Sequence, residues 1–164
     1  MKKGFTLLEL LIVIGILAIL ATTVTVVLNP AELLRQARDS QRLGDLRSVH
    51  AALGMFAATA TTTPLFTATT TCTAIGATNP FTGGNCVYNN NTSVVGIGAQ
   101  ATSTGWVNVN FALVSGGSPL SRLPIDPVND TTSYYAFRNS VSDNTCELNA
   151  NLESGKYSGE ETKD

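Results

Sequence analysis

Residues 2–28 read KKGFTLLELLIVIGILAILATTVTVVL, and this stretch decides the fold. Between Glu9 and Glu32 the chain has no ionisable side chain, and residues 10–28 are all aliphatic residues, glycine, alanine or threonine. As a helix rising about 1.5 Å per residue, this run approaches the roughly 30 Å thickness of a bilayer's hydrocarbon core. The stretch therefore predicts a helix that anchors the chain in a membrane.

Two other interpretations of the apolar run are weaker. A buried helix of a soluble domain would need a protein cover on every side, and a chain of 164 residues is too small to supply one. A cleaved secretory signal would explain Lys2 and Lys3 as a positive n-region, but the run ends without an A-x-A site and contains Glu9. A central acidic residue costs on the order of 2.5 to 3.5 kcal/mol on insertion, and less near a helix end.

The segment KKGFTLLELLIVIGILAIL, residues 2–20, resembles the class III signal of type IV pilins and their pseudopilin relatives. The likeness consists of a short basic leader, Gly4, Phe5, a hydroxyl residue, an apolar pair, Glu9 and then the rest of the anchor. The resemblance implies a pilin-like fold and a structural subunit of a type IV pilus or related filament. It also implies a homo-oligomer, in which the helices form the filament core and the heads coat the surface.

The same resemblance implies how the chain is processed. A prepilin peptidase would cleave between Gly4 and Phe5 on the cytoplasmic side, and the new amino group of Phe5 would be N-methylated. The precursor would lie in the bacterial inner membrane as a single-pass protein, and the mature subunit in an extracellular pilus or a filament that spans the periplasm. A cytoplasmic assembly ATPase would act on it indirectly, through an inner-membrane platform protein.

Glu9 is the one acid inside the apolar run, and it needs a partner. A carboxylate in hydrocarbon is costly alone, and an opposite charge at ion-pair distance offsets much of that cost. Our hypothesis is that Glu9 pairs with the Phe5 amine of a neighbouring subunit. A subunit docked one turn out of place would leave two buried charges unmatched, so this pair would set the register of assembly.

Asn29-Pro30 interrupts the run and predicts either the start of a second helix or a kinked continuation of the first. For a second helix, Asn29 would be the N-cap and Glu32 would complete a capping box. Residues 29–58 have helical periodicity, and one broad face can bury a set of mostly apolar side chains. These are Leu43, Leu46, Val49, His50, Leu53, Phe56 and Ala57.

Four of the arginines lie close together on this second helix, with acids interleaved among them. We interpret the cluster as a solvated helix face, on which Arg35 pairs with Asp39 and Arg42 pairs with Asp45. The net charge is -2, and only 13% of the residues are charged. Such a balance gives no field for a polyanion, so nucleic acid is not indicated as a partner.

Beyond the second helix the sequence predicts a small antiparallel sheet. A Thr-rich loop, ATATTTPLFTATTTCT at residues 58–73, follows the helix. Alternation at residues 107–111 and 146–153, together with SVVGIGA at 93–99 and SYYAFR at 133–138, predicts strands. The predicted fold is α+β: a long N-terminal helix whose hydrophobic half protrudes and whose amphipathic half packs on the sheet.

The resemblance implies the first two parts of the chain, and the composition divides the rest into three more. The five parts are a prepilin leader (residues 1–4), a hydrophobic membrane or filament-core helix (5–28), an amphipathic helix (29–58), a globular head (59–153) and a polar tail (154–164).

The segment LPIDPVND, residues 123–130, looks like the loop before the last strands of major pseudopilins, some of which bind calcium in this neighbourhood. Its oxygen donors are Asp126, Asn129 and Asp130. Asp-Pro and Asn-Asp are also ordinary turn formers, and Ca²⁺ takes about six or more oxygens. We assign no metal to this loop.

The chain has three cysteines, Cys72, Cys86 and Cys146, without a metal spacing such as C-x-x-C. A disulfide is expected in an exported protein, and three pairings are open. Cys72 and Cys86 are the disulfide candidates because they close a short loop. Cys146, on a core-facing strand position, is the candidate free thiol.

Catalysis has little support in the sequence. His50 is the single histidine, and no G-x-S-x-G, HExxH or P-loop motif occurs, so we expect neither an enzyme nor a cofactor. The alternative within the same class is a pseudopilin of a type II secretion system. The alternative from another class is a monomeric membrane-tethered binding domain, whose anchor would stay in lipid.

Overall fold

The computed structural model describes residues 4–59, 70–84, 86–94, 104–140 and 145–157. Within these ranges a long helical region precedes a head that contains a small sheet. The elements are α1 (Leu7–Leu28), α2 (Pro30–Thr59), β1 (Thr70–Cys72), β2 (Val87–Tyr88), a 3-10 helix (Phe111–Leu113), β3 (Tyr135–Ser140) and β4 (Thr145–Ala150). This arrangement confirms the predicted α+β, pilin-like fold.

The break between the two helices lies at Asn29, as predicted, but its geometry differs from the prediction. Asn29 is the C-cap of α1 in the left-handed conformation, with φ 39° and ψ 73°. Asparagine tolerates this conformation better than most residues, and Pro30 cannot continue a helix without a clash. The Glu32 side chain does not complete a capping box with Asn29, because it accepts a hydrogen bond from the Gly155 N–H at 2.7 Å.

The sheet has the strand order β2-β1-β3-β4. β3 pairs antiparallel with both β1 and β4, as the alternation predicted. β2 differs, since it runs parallel to β1 at the edge. The segments 133–138 and 146–153 therefore contain strands, whereas most of 93–99 lies outside the described residues.

The main core lies between α2 and one face of the sheet. Four positions of α2 are buried there: Val49, Ala52, Leu53 and Phe56. Their partners from the head include Trp106, Val107, Val109, Phe111, Leu123, Tyr135 and Phe137. The apolar stripe of α2 is narrower than predicted, because His50 and Ala57 are exposed.

The strand predicted at residues 107–111 is wrong. Val107, Val109 and Phe111 are fully buried, as an alternating pattern requires, but the segment is irregular and runs into the 3-10 helix. The N–H of Val109 donates to the carbonyl of Val107 at 2.8 Å, a tight turn that interrupts an extended ladder. The buried side chain of Asn110 caps the 3-10 helix by accepting from the Ala112 N–H.

A smaller core covers the opposite face of the sheet. Cys72, Tyr134 and Ala136 are buried there under the loop that follows β1. The structure joins Cys72 to Cys86 in a disulfide with a Cα–Cα distance of 5.7 Å, and leaves Cys146 as a free, half-buried thiol. The disulfide thus ties this loop over the sheet.

Candidate assembly helix and charge junction

Helix α1 has no side chain buried among the residues that the structure describes. Its 22 residues include no buried position, and it is the one helix of the described residues that is long and apolar enough to cross a membrane. Exposed apolar surface of this extent requires another cover, either lipid or other protein. The helix needs this cover because the apolar side chains of residues 7–28 surround it on every face.

Glu9 lies at the N-terminus of α1 and forms a capping box with Thr6. The Glu9 N–H donates to the Thr6 hydroxyl at 3.2 Å, while the Thr6 N–H donates to the Glu9 carboxylate at 3.3 Å. The Thr6 hydroxyl also contacts that carboxylate at 3.2 Å. The signal was present in the sequence as T-x-x-E, and our prediction placed the capping box at Asn29 instead.

The cleavage candidates lie just before this cap. Gly4 and Phe5 are outside the helix, and the Phe5 side chain is 85% exposed. A Cβ added to Gly4 would meet no atom within 4 Å, so no described residue packs against this position.

The threonines of α1 satisfy their own hydroxyl groups. Thr22 donates to the carbonyl of Ile19, and Thr23 donates to that of Leu20, each at 2.8 Å. Thr25 donates to the carbonyl of Thr22 at 2.9 Å. These hydroxyls therefore impose no need for a polar partner in an apolar environment.

A buried ion network joins α2 to the head. The Arg42 guanidinium donates to Asp126 at 2.6 and 2.9 Å and to Asp39 at 2.8 Å, and it also pairs with Glu153. Arg38 pairs with the same Glu153 from the rim. Arg42 and Asp39 are 0% exposed, so the prediction of a solvated helix face is wrong for both.

The pKa values of Asp39 and Glu153 are lower in the folded chain than the ordinary values of these side chains. Burial alone would raise the pKa of Asp39, but hydrogen bonds from Ser154, from the Glu153 N–H and from Arg42 lower it below its usual value. The hydrogen bond from Arg38, followed by that from Arg42, lowers the pKa of Glu153 against the effect of burial. The folded state therefore favours both carboxylates in their charged form.

The partners of the two predicted helix pairs also differ. Asp45, expected to pair with Arg42, accepts a hydrogen bond from the Tyr135 hydroxyl at 2.7 Å. Arg35 contacts Glu32 at 3.6 Å rather than the acid four residues later. Helical spacing predicted pairs within α2, whereas the partners of Asp45 and Arg42 include residues distant in the sequence.

The residues after β4 dock on α2. The N–H groups of Glu153 and Ser154 donate to Asp39 at 2.8 to 3.1 Å, and Ser154 is 0% exposed. Ser154, the first residue of the predicted polar tail, is therefore docked on α2. Residues 158–164 lie outside the described part of the chain.

The oxygen donors of the 123–130 loop do not converge on a shared position. Asp126 accepts from Arg42, Asn129 Oδ1 accepts from the Thr73 hydroxyl at 2.7 Å, and Asp130 caps its own turn. Among the described residues, no group of three or more histidine, cysteine or acidic side chains could hold a metal ion.

The comparison with known families concerns the first part of the chain. Residues 1–25 match the family model described as the prokaryotic N-terminal methylation motif. This motif is the class III signal peptide of type IV pilins and pseudopilins. The motif supports a type IV pilin-like or pseudopilin precursor and implies processing by prepilin peptidase and association with a membrane, and the apolar helix α1 fits an inner-membrane anchor. No curated protein and no solved structure matches the chain.

Proposed function

We propose that this chain is a structural subunit of a type IV pilus or a related filament, polymerised through α1. The observation that carries the proposal is the bare apolar helix, which has no buried side chain and follows a methylation motif. The bilayer covers this helix before assembly, and the helices of other copies cover it afterwards. The activity is polymerisation rather than catalysis.

Processing creates the surface that polymerises. Cleavage between Gly4 and Phe5 removes the two lysines of the leader and leaves a cationic amine on Phe5, where N-methylation follows. The exposed, non-helical backbone at this bond supports access by a peptidase. The apolar helix stays on the mature chain, which is then available for extraction by the platform protein and the assembly ATPase.

Glu9 has two successive partners in this proposal. In the free chain its carboxylate accepts hydrogen bonds from Thr6, one residue away from the nitrogen that cleavage exposes. In the filament it pairs with the Phe5 amine of the neighbouring subunit. Polymerisation exchanges a local contact for an interchain ion pair, which is favourable where water is excluded and the geometry is good.

Two other functions have some support. The internally bonded threonine hydroxyls of α1 favour a helix that can remain alone in lipid, as in a monomeric membrane-tethered binding domain.

The LPIDPVND segment favours a pseudopilin of a type II secretion system, because it resembles the corresponding loop in that group.

Mass spectrometry of the mature N-terminus, combined with Glu9 variants, tests the proposal. We expect N-methylated Phe5, normal filaments from Glu9→Asp, which keeps the charge, and a loss of filaments from Glu9→Leu and Glu9→Gln. All variants should remain in the membrane fraction at equal levels. An intact Met1 would support the tethered domain, and normal filaments from Glu9→Leu would exclude the ion pair.

A further inference from the structure

One buried guanidinium holds together three separate parts of the chain. Arg42 of α2 binds Asp39 of the same helix, Asp126 of the loop before β3 and Glu153 after β4. We propose that Arg42 is the structural cation of the head: it cross-links the Asp126 loop and the segment after β4 to the helix, so the acidic side chains there do not fit a divalent ion. The head therefore needs no metal ion to fold, whether or not the chain polymerises.

The geometry matches a cation that coordinates several carboxylates. Nε and Nη2 donate to the two oxygens of Asp126 at 2.6 and 2.9 Å, the parallel arrangement in which arginine binds a carboxylate most strongly. Nη1 donates to Asp39 at 2.8 Å, and Nη2 also reaches Glu153. Asp126 is 4% exposed, so salt and water screen these attractions weakly.

The charges of the network are nearly compensated without a metal. Asp39, Asp126 and Glu153 bring three negative charges, while Arg42 and Arg38 bring two positive ones. The backbone N–H groups after β4 that donate to Asp39 stabilise the remaining negative charge.

Both acids of the loop already accept hydrogen bonds from described residues. Asp126 Oδ1 accepts from Arg42 and from the N–H groups of Val128 and Asn129. Asp130 Oδ1 accepts from Thr132 and from the Ser133 N–H at 2.7 Å. A calcium ion would have to displace these donors, so the residues of the loop do not fit a metal of the kind found near it in some pseudopilins.

The network also extends the contact between helix and head. Asp39 and Arg42 precede the buried apolar positions of α2, the first of which is Val49, on the side that continues into α1. Force applied to α1 reaches these ion pairs before it reaches the apolar core. Loss of the cation therefore weakens the attachment of the head at the end nearest the anchor.

Thermal unfolding of the full chain in detergent micelles tests the inference. Trp106, the single tryptophan, is 0% exposed, so its fluorescence reports the head alone. We expect the same Tm for the wild type in excess EDTA and in millimolar Ca²⁺. Arg42→Ala should lower Tm by more than about 10 °C, whereas Arg47→Ala, an exposed arginine on the same helix, should leave it nearly unchanged.

Two further measurements distinguish the loss of the Arg42 charge from the loss of its packing. Arg42→Lys keeps the charge but not the planar fork, so its Tm should lie between the wild type and Arg42→Ala, and it serves as the informative variant if the alanine form does not fold. Methylguanidinium carries the same cationic group as the arginine side chain. At low millimolar concentration it should raise the Tm of Arg42→Ala and leave that of Arg47→Ala unchanged. A wild type destabilised by EDTA, an Arg42→Ala as stable as Arg47→Ala, or no response to methylguanidinium would each overturn the inference.

Discussion

At the residue scale, Asp39 is a carboxylate whose charged form is favoured by folding. Its pKa is lowered in the folded chain, as is that of Glu153. A depressed folded pKa stabilises the protein above the unfolded pKa, and this contribution is lost as the pH falls through the folded value. Arg38, Arg42 and Asp126 are the other charged groups that face these two carboxylates.

We therefore predict that the head loses stability as the pH falls from about 5 toward about 2. Asp39→Asn should be less stable than the wild type at neutral pH and should show a flatter dependence on pH. Urea unfolding followed by Trp106 fluorescence measures both quantities. Glu147→Gln, at an exposed position of β4, is the control and should keep the slope of the wild type. An unchanged slope in Asp39→Asn would contradict the assignment of this stability to Asp39.

Thr6 is the second residue with a specific role. It holds the Glu9 carboxylate at the start of α1 through its hydroxyl and its N–H. Thr6→Val should fray the first turn, at a cost of about 1 kcal/mol, whereas Thr6→Ser should preserve it. Amide hydrogen exchange at Leu7–Glu9 in micelles measures the effect, and equal protection in the two variants would show that the hydroxyl is dispensable.

At the element scale, the two helices are separated by a single left-handed residue. Asn29 adopts φ 39°, which is unfavourable for residues with a Cβ and least so for asparagine. Asn29→Gly should leave the break intact, and Asn29→Ala should destabilise it by about 1 kcal/mol. Backbone chemical shifts of residues 28–30 report the conformation, and a left-handed alanine at no cost in stability would contradict the argument.

The loop between β1 and β2 depends on its disulfide. Cys72 and Cys86 are separated by 14 positions, and this loop covers the smaller core around Tyr134 and Ala136. Reduction should destabilise the head by about 3 kcal/mol on the loop-entropy estimate. The double variant Cys72→Ala, Cys86→Ala should match the reduced wild type and show no response to reductant. If reductant destabilised the wild type and the double variant equally, its effect would not come from the Cys72–Cys86 disulfide.

At the scale of the whole molecule, local patterns predicted the elements and missed their long-range contacts. The apolar run, the Asn29-Pro30 break and the alternation of β4 are properties of neighbouring residues, and the structure reproduces each of them. The Arg42 network joins residues more than 80 positions apart, which no helical period can indicate. The parallel pairing of β2 with β1 likewise depends on how the loop between them folds, which the pattern of neighbouring residues does not indicate.

The division of burial between the two helices has a consequence for the whole chain. α2 packs on the head through its apolar stripe and its ion network, while α1 has no buried side chain in the described part of the chain. The molecule therefore has a folded head and a helix whose apolar side chains are covered only in lipid or by other copies of the chain. This asymmetry is the physical basis of the proposed polymerisation.

Cryo-electron microscopy of polymer sheared from cells that produce this chain tests that proposal most directly. We predict a filament with α1 packed along the axis and the carboxylate of Glu9 within about 4 Å of the Phe5 nitrogen of an adjacent subunit. A filament in which Glu9 lies far from every Phe5 nitrogen would contradict the ion pair. The absence of any polymer, with the processed chain remaining in the membrane as a monomer, would contradict the function itself.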